Sequence, residues 1–178
     1  MTARGAALIL LGACVAPPSP APQPPTPPAA SGDAVSVGDH AMIQLIQELV
    51  ALLSNEVTFE DVTHRLGPVA NDPGAPQPAA LTPRDGAIRH ASVVRYPDSG
   101  KPYTVELELA TAVPVASLVA AFGAYRQSRS DRGLPRSIFF PPAGTGPWKI
   151  VLLAELPPGT DPLDDGATTR VTLRRDPP

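Results

Sequence analysis

Proline divides this chain into a part that cannot fold by itself and a part that can. The chain has 178 residues and 25 prolines, and from Pro17 to about Ser31 it is almost wholly proline, alanine and polar residues. Such a segment buries too little apolar surface to fold and favours extended polyproline II helix. At about 3.1 Å per residue, a segment of this length spans roughly 45 Å. The sequence therefore predicts a tether over residues 14–34 and one folded domain over residues 35–178.

A short apolar segment precedes the tether. Met1 to Arg4 is positively charged, and Ala6–Leu11 is apolar but too short to anchor in a bilayer as a stable helix, which is typical of a signal peptide. The segment ends in Leu11-Gly12-Ala13-Cys14, and this is the only cysteine of the chain. An ordinary secretory signal with a cysteine near its end is the alternative. The shortness of the segment leaves open a translation start upstream of Met1.

The end of this segment resembles the lipobox of bacterial lipoproteins: a branched apolar residue, two small residues and the cysteine. The resemblance implies removal of residues 1–13, a diacylglyceryl group on the Cys14 thiol and an acylated amine. Two or three acyl chains anchor durably, because each buried methylene contributes about 0.8 kcal/mol. Val15, rather than Asp, follows Cys14, which resembles the outer-membrane sorting pattern. We therefore expect a protein held in the lipid bilayer by acylated Cys14, on the periplasmic face of the outer membrane.

The charge of the chain does not favour nucleic acid as a partner. The formal net charge is −3, and aromatic residues make up 4% of the chain. The basic residues that do cluster are Arg126, Arg129, Arg132 and Arg136. Because Asp131 interrupts them and no aromatic stacking pattern accompanies them, a solvated loop is favoured over a patch that binds phosphate or anionic lipid.

The domain is predicted to begin with an apolar helix. Ser36 and Asp39 are candidate caps, and apolar residues recur at helical spacing from Met42 to Leu53. Asn55 is the expected end of this helix.

A second helix has clear start and stop signals. Thr58 is the expected N-cap, and Asp61 completes an approximate capping box. Val57 and Val62 are placed to form a hydrophobic staple. Gly67-Pro68 predicts a left-handed cap followed by a residue that cannot continue the helix.

The remaining elements alternate with turns rich in proline and glycine, and residues 71–85 are predicted to form a long surface loop. Strands are predicted over Ile88–Tyr96, Tyr103–Leu109, Ser137–Phe140, Trp148–Leu156 and Thr169–Arg174, and a helix over Val113–Gln127. In the second strand, Thr104, Glu106 and Glu108 are predicted to form a solvent-exposed face. The predicted class is α+β, in the order ααββαβββ, with the helices packed on one face of an antiparallel sheet.

A weak internal repeat is visible, since Val57–Gly67 aligns without gaps on Val113–Gly123. Chance recurrence of an amphipathic helix that ends in glycine is the alternative. The segment Val57–Pro68 also resembles the small outer-membrane lipoproteins of the BamE/SmpA type and their relatives with the β-lactamase-inhibitor-protein fold. That resemblance implies two helices against an antiparallel sheet and a role in scaffolding or partner binding, without catalytic residues.

Linear motifs for catalysis or metal binding are absent from the sequence. The histidines are His40, His64 and His90, and no spacing places two of them on one helix face. The serine-hydrolase motif Gly-x-Ser-x-Gly is absent, and Gly144-Thr145-Gly146 reads as a turn rather than a phosphate-binding loop. Asp161, Asp164 and Asp165 lack the spacing of a calcium loop. We therefore expect no catalytic residue, no metal and no cofactor.

Three aromatic residues are the candidates for partner contact. Tyr96, Tyr103 and Trp148 occupy predicted strand positions and would together line a sheet face that receives a partner. Trp148 as a residue at the edge of the core is the alternative. The leading functional expectation is a non-catalytic envelope lipoprotein that binds or scaffolds another envelope protein. The alternatives are an inhibitor or immunity lipoprotein that blocks a hydrolase or toxin, and an enzyme or small-ligand carrier whose site has no linear motif.

Overall fold

The computed structural model describes residues 37–70, 78–127, 136–162 and 166–177. The predicted signal peptide, Cys14 and the proline-rich tether lie outside these residues. No helix in the described part of the chain is long and apolar enough to cross a membrane.

Helix α1 spans Val37–Leu53. Its side chains Met42, Ile46, Leu49 and Leu53 are buried, and their spacing of three or four residues places them on one face. The candidate cap Ser36 lies just before the described residues. The helix ends two residues earlier than predicted, and the side chain of Asn55 donates a hydrogen bond to the Ala51 carbonyl at 2.7 Å.

Helix α2 spans Phe59–Leu66, and its predicted capping box is confirmed. The Asp61 amide donates to the Thr58 hydroxyl at 3.2 Å, and the Thr58 amide donates to the Asp61 carboxylate at 2.8 Å. Gly67 ends the helix with a positive φ of 143°, which favours glycine, but its ψ of 167° differs from that of the predicted left-handed helical cap. A Cβ at Gly67 would overlap the carbonyl oxygen of Thr82, so only glycine fits this close approach.

The described strands form one antiparallel sheet, and a third helix interrupts them, so the α+β class is confirmed. The strands are β1 (Ala79–Leu81), β2 (Ile88–Arg95), β3 (Pro102–Pro114), β4 (Arg126–Gln127), β5 (Arg136–Phe139), β6 (Lys149–Leu156) and β7 (Ala167–Asp176), and α3 (Val115–Phe122) lies between β3 and β4. The order across the sheet is β1-β2-β3-β7-β6-β5-β4.

The predicted element order is wrong in two places, because the short strands β1 and β4 were missed. Strand β1 lies inside the predicted loop 71–85 and is stabilised by pairing with β2 and by a bridge between Leu81 and Val69. Helix α3 is shorter than predicted: it ends at Gly123, which has a φ of 89°, and the following residues turn back into β4.

One face of the sheet builds the hydrophobic core. Val93, Val105, Leu173 and Leu152 lie side by side across β2, β3, β7 and β6, and each is 0% exposed. Apolar side chains from all three helices belong to the same hydrophobic cluster, and α1 contacts both α3 and β3. Fully burying a side chain of this size contributes about 1.5–3 kcal/mol, so this cluster is the main source of stability.

Candidate functional site

The three aromatic residues predicted to contact a partner meet at one end of the core, around Arg175. Tyr96 follows β2 and Tyr103 lies in β3, and the tight turn between these strands brings their rings together at a tilt of 49°, with centroids 4.8 Å apart. Trp148 precedes β6, and its ring lies 3.8 Å from the Arg175 guanidinium carbon. The Tyr96 hydroxyl donates to the Arg175 carbonyl at 3.1 Å. We call these four residues the aromatic cluster.

Arg175 is 0% exposed and joins the last strand to the end of α1. Its Nε donates to the Leu53 carbonyl at 3.0 Å and its Nη2 to the Asn55 carbonyl at 2.7 Å. These are carbonyls that the end of a helix leaves without intrahelical partners, so the guanidinium acts as a C-terminal cap. Burial lowers the pKa of Arg175, and the negative charge of Glu56 opposes this effect. Sequence reasoning missed this residue, because the predicted strand ended at Arg174.

Glu56 and Lys101 form the exposed rim of the aromatic cluster. The Trp148 indole nitrogen donates to one Glu56 carboxylate oxygen at 3.2 Å, and the Lys101 ammonium lies 2.7 Å from the other. The hydrogen bonds from Lys101 and Trp148 hold the pKa of Glu56 below its usual value of 4.5. Because these charges are largely exposed, the ion pair positions Trp148 more than it stabilises the fold.

Gly144 and Gly146 allow the loop before Trp148 to lie against the end of α1. The Trp148 amide donates to the Ser54 carbonyl at 3.1 Å. A Cβ on Gly146 would overlap the same carbonyl oxygen, and one on Gly144 would contact the Ser54 side chain. The segment Gly144-Thr145-Gly146 is thus part of the connection between β5 and β6, as predicted. Its glycines are needed for a close approach of two backbones.

Hydrogen bonds within the domain therefore occupy the Tyr96 hydroxyl, the Trp148 indole nitrogen and two nitrogens of the Arg175 guanidinium. The rings of Tyr96, Tyr103 and Trp148 are only partly buried, so their outer parts are accessible to a partner. Their role in partner contact stays a prediction.

The face of the sheet opposite the core forms a second candidate surface, which we call the open face. Strand register places there Ala80, His90, Ser92, Val94, Thr104, Glu106, Glu108, Arg126, Ser137, Phe139, Lys149, Val151, Leu153, Glu155, Arg170, Thr172, Arg174 and Asp176. Ser92, Thr104 and Val151 are buried between their longer neighbours, and the other side chains are exposed or partly exposed. The predicted solvent-exposed face of β3 is therefore confirmed at Glu106 and Glu108.

The open face carries two grooves of different chemistry. The first, which we call the carboxylate groove, has a volume of about 250 Å³ and is lined by His90, Glu106, Glu108, Glu155, Arg170 and Thr172, together with Leu107 and Val171. Arg170 lies 3.8 Å from Glu155, and the Ser92 hydroxyl donates to Glu106 at 3.3 Å. The second, which we call the apolar groove, has a volume of about 280 Å³ and is lined by Arg126, Phe139, Phe140, Pro141, Pro142 and Val151.

The other residues considered for chemistry are separated in the fold. His40 lies on α1, His64 on α2 and His90 on β2. Within the described ranges, no group of three or more His, Cys, Asp or Glu side chains is placed to hold a metal ion. Arg126 and Arg136 lie on paired strands, whereas Arg129, Asp131, Arg132, Asp164 and Asp165 lie outside the described residues.

Comparison of the chain with protein-family models, with curated proteins and with solved structures found no match. The resemblances to the lipobox and to BamE/SmpA-type lipoproteins therefore depend on the sequence residues quoted for them.

Proposed function

We propose that this chain is an envelope lipoprotein, acylated at Cys14, whose α+β domain binds a protein partner without catalysing a reaction. Removal of residues 1–13 would leave Cys14 in the bilayer, and residues 14–34 would act as the tether. The periplasmic face of the outer membrane is the proposed location, because Val15 rather than Asp follows Cys14. The proposal includes no metal and no cofactor.

The observation that carries the binding role is the open face. In the proposed arrangement α1, α2 and α3 all pack on the core face of the sheet, which is supported by their shared hydrophobic cluster. The opposite face then presents charged and apolar side chains to solvent. Exposed apolar patches that are rimmed by polar side chains mark protein interaction sites. The partly exposed rings of the aromatic cluster are a second contact region of the same proposal.

The anchor is tested by labelling cells with a fatty-acid analogue. We expect the native chain to take up the label and to fractionate with membranes, and the Cys14→Ser form to do neither. The matched control is Ser19→Ala, which changes a nearby tether residue and should leave both properties unchanged. A native chain that takes up no label would show that the lipoprotein assignment is wrong.

The binding role is tested by co-purification of the native chain in mild detergent, with partners identified by mass spectrometry. A reproducible envelope protein that is lost on Tyr96→Ala, Tyr103→Ala and Trp148→Ala substitution would assign the contact to the aromatic cluster. Retention of every partner by these variants would remove those residues from the proposal. A secreted hydrolase or toxin as the partner would favour the inhibitor or immunity role over scaffolding.

A further inference from the structure

We propose that the open face is the partner-binding surface, and that the partner presents to it one short segment with basic side chains at one end and apolar side chains beside them. This proposal rests on the proposed function of the domain as a protein-binding module. It adds the surface and the chemistry of the partner.

The carboxylate groove attracts the basic end of the partner's segment. Glu106 and Glu108 are two residues apart on β3 and therefore point to the same side. Neither forms an ion pair with a described residue. Arg170 is in register with both Glu108 and Glu155, and it pairs with Glu155. Apart from His90, the groove holds three carboxylates against one guanidinium, so a Lys or Arg side chain complements it.

The apolar groove supplies the site for the neighbouring apolar side chains. Phe139 is in register with Leu153, and both are partly exposed on the open face. Pro141 and Pro142 extend this apolar surface and are exposed. Burying such a patch against a partner removes apolar surface from water, so it holds a partner that exposed charge pairs alone would bind weakly.

Strand register fixes the distance between the two grooves. Glu106, Thr172, Leu153 and Phe139 form one row across β3, β7, β6 and β5. Three strand spacings separate the ends of this row, which is about 14 Å. An extended segment covers that distance with about four residues. Arg126 pairs with Phe139 and continues the row, so an acidic residue beyond the apolar ones would complete the match.

The test uses a fluorescein-labelled nine-residue peptide with two lysines at one end, alternating leucine and serine in the centre and two glutamates at the other end. Binding to the full Cys14→Ser chain is measured by anisotropy. We expect saturable binding that weakens as salt is raised. The double variant Glu106→Gln, Glu108→Gln should weaken binding by about tenfold, and Leu153→Ser should weaken it with little change in salt dependence.

The matched control is Glu48→Gln, Glu60→Gln, which removes two exposed carboxylates from the helices. If both double variants weakened peptide binding equally, the loss of net charge alone would explain the effect. That result would overturn the proposal. Equal binding of a peptide with glutamates in place of lysines would also overturn it. Far-UV circular dichroism of each variant should match the parent, because the substituted side chains are exposed or partly exposed.

A second measurement separates this proposal from the proposed function. In co-purification, the native chain carrying Glu106→Gln and Glu108→Gln should lose the partner that the unsubstituted chain retains. Retention of that partner would overturn the open-face assignment and leave the binding function intact. If sedimentation shows a self-associated chain that the double variant dissociates, the occupant is a second copy and the partner proposal is wrong.

Discussion

Arg174 and Arg175 are neighbours of the same residue type with opposite roles. Alternation along β7 turns Arg174 to the open face, where it pairs with Asp176 at 2.8 Å, and turns Arg175 into the core. Because the predicted strand ends at Arg174, the sequence does not place Arg175 on the core face. It does not indicate which one finds acceptors, because the carbonyls that Arg175 reaches belong to Leu53 and Asn55, more than a hundred residues earlier.

Replacement of Arg175 by Lys should destabilise the fold although it keeps the charge. A lysine ammonium cannot bond two carbonyls as a planar fork and stack on Trp148 at the same time. We expect the free energy of unfolding, measured in urea, to fall by about 2–4 kcal/mol. Arg174→Lys is the control and should cost less than about 1 kcal/mol, because its ion pair is partly exposed. Similar losses in both variants would contradict the capping role of Arg175.

At the scale of single elements, the ends of α2, which depend on neighbouring residues in the sequence, were predicted correctly. Short strands that depend on pairing with a distant strand were not. The capping box at Thr58 and the stop at Gly67 involve neighbours in sequence, and both predictions gave the right helix ends. Strands β1 and β4 have only three and two residues, and they exist because β2 and β5 supply their hydrogen-bond partners. Helix α3 was predicted too long because Tyr125 continues the apolar spacing beyond Gly123.

The loop that joins β5 to β6 should not tolerate a side chain at Gly146. Gly146→Ala would place a methyl group on the Ser54 carbonyl oxygen, so the loop and Trp148 must shift away from α1. We expect a loss of about 1–3 kcal/mol in the free energy of unfolding and a change in Trp148 fluorescence. Gly86→Ala is the control, since nothing lies within 4 Å of its added Cβ. An unchanged spectrum for Gly146→Ala would contradict this close approach.

At the scale of the whole molecule, the described strands form two three-stranded meanders on either side of β7. The first is β1-β2-β3 and the second is β6-β5-β4. Each follows an eight-residue helix, α2 or α3, that ends at a glycine with positive φ. The sequence alignment of Val57–Gly67 with Val113–Gly123 covers these two helices. It could not reveal that β7 lies between the meanders, nor that the charges of β3 and the apolar residues of β5 share one row.

Because the described helices and every described strand except β4 contribute to one hydrophobic cluster, the domain should unfold as one cooperative unit. For the Cys14→Ser chain, Trp148 fluorescence and far-UV circular dichroism should give coincident transitions in urea. Trp148 reports on the end of α1 and on β6, whereas circular dichroism reports on both meanders. Two separate transitions would contradict a single cooperative core.

The central position of β7 also affects how the domain folds during synthesis. Six of the described strands precede β7, yet it forms the pairs with β3 and β6 that join the two meanders. During synthesis, the edges of β3 and β6 have no partner until residues 167–176 have emerged. Such late, long-range pairing slows folding and exposes strand edges to aggregation.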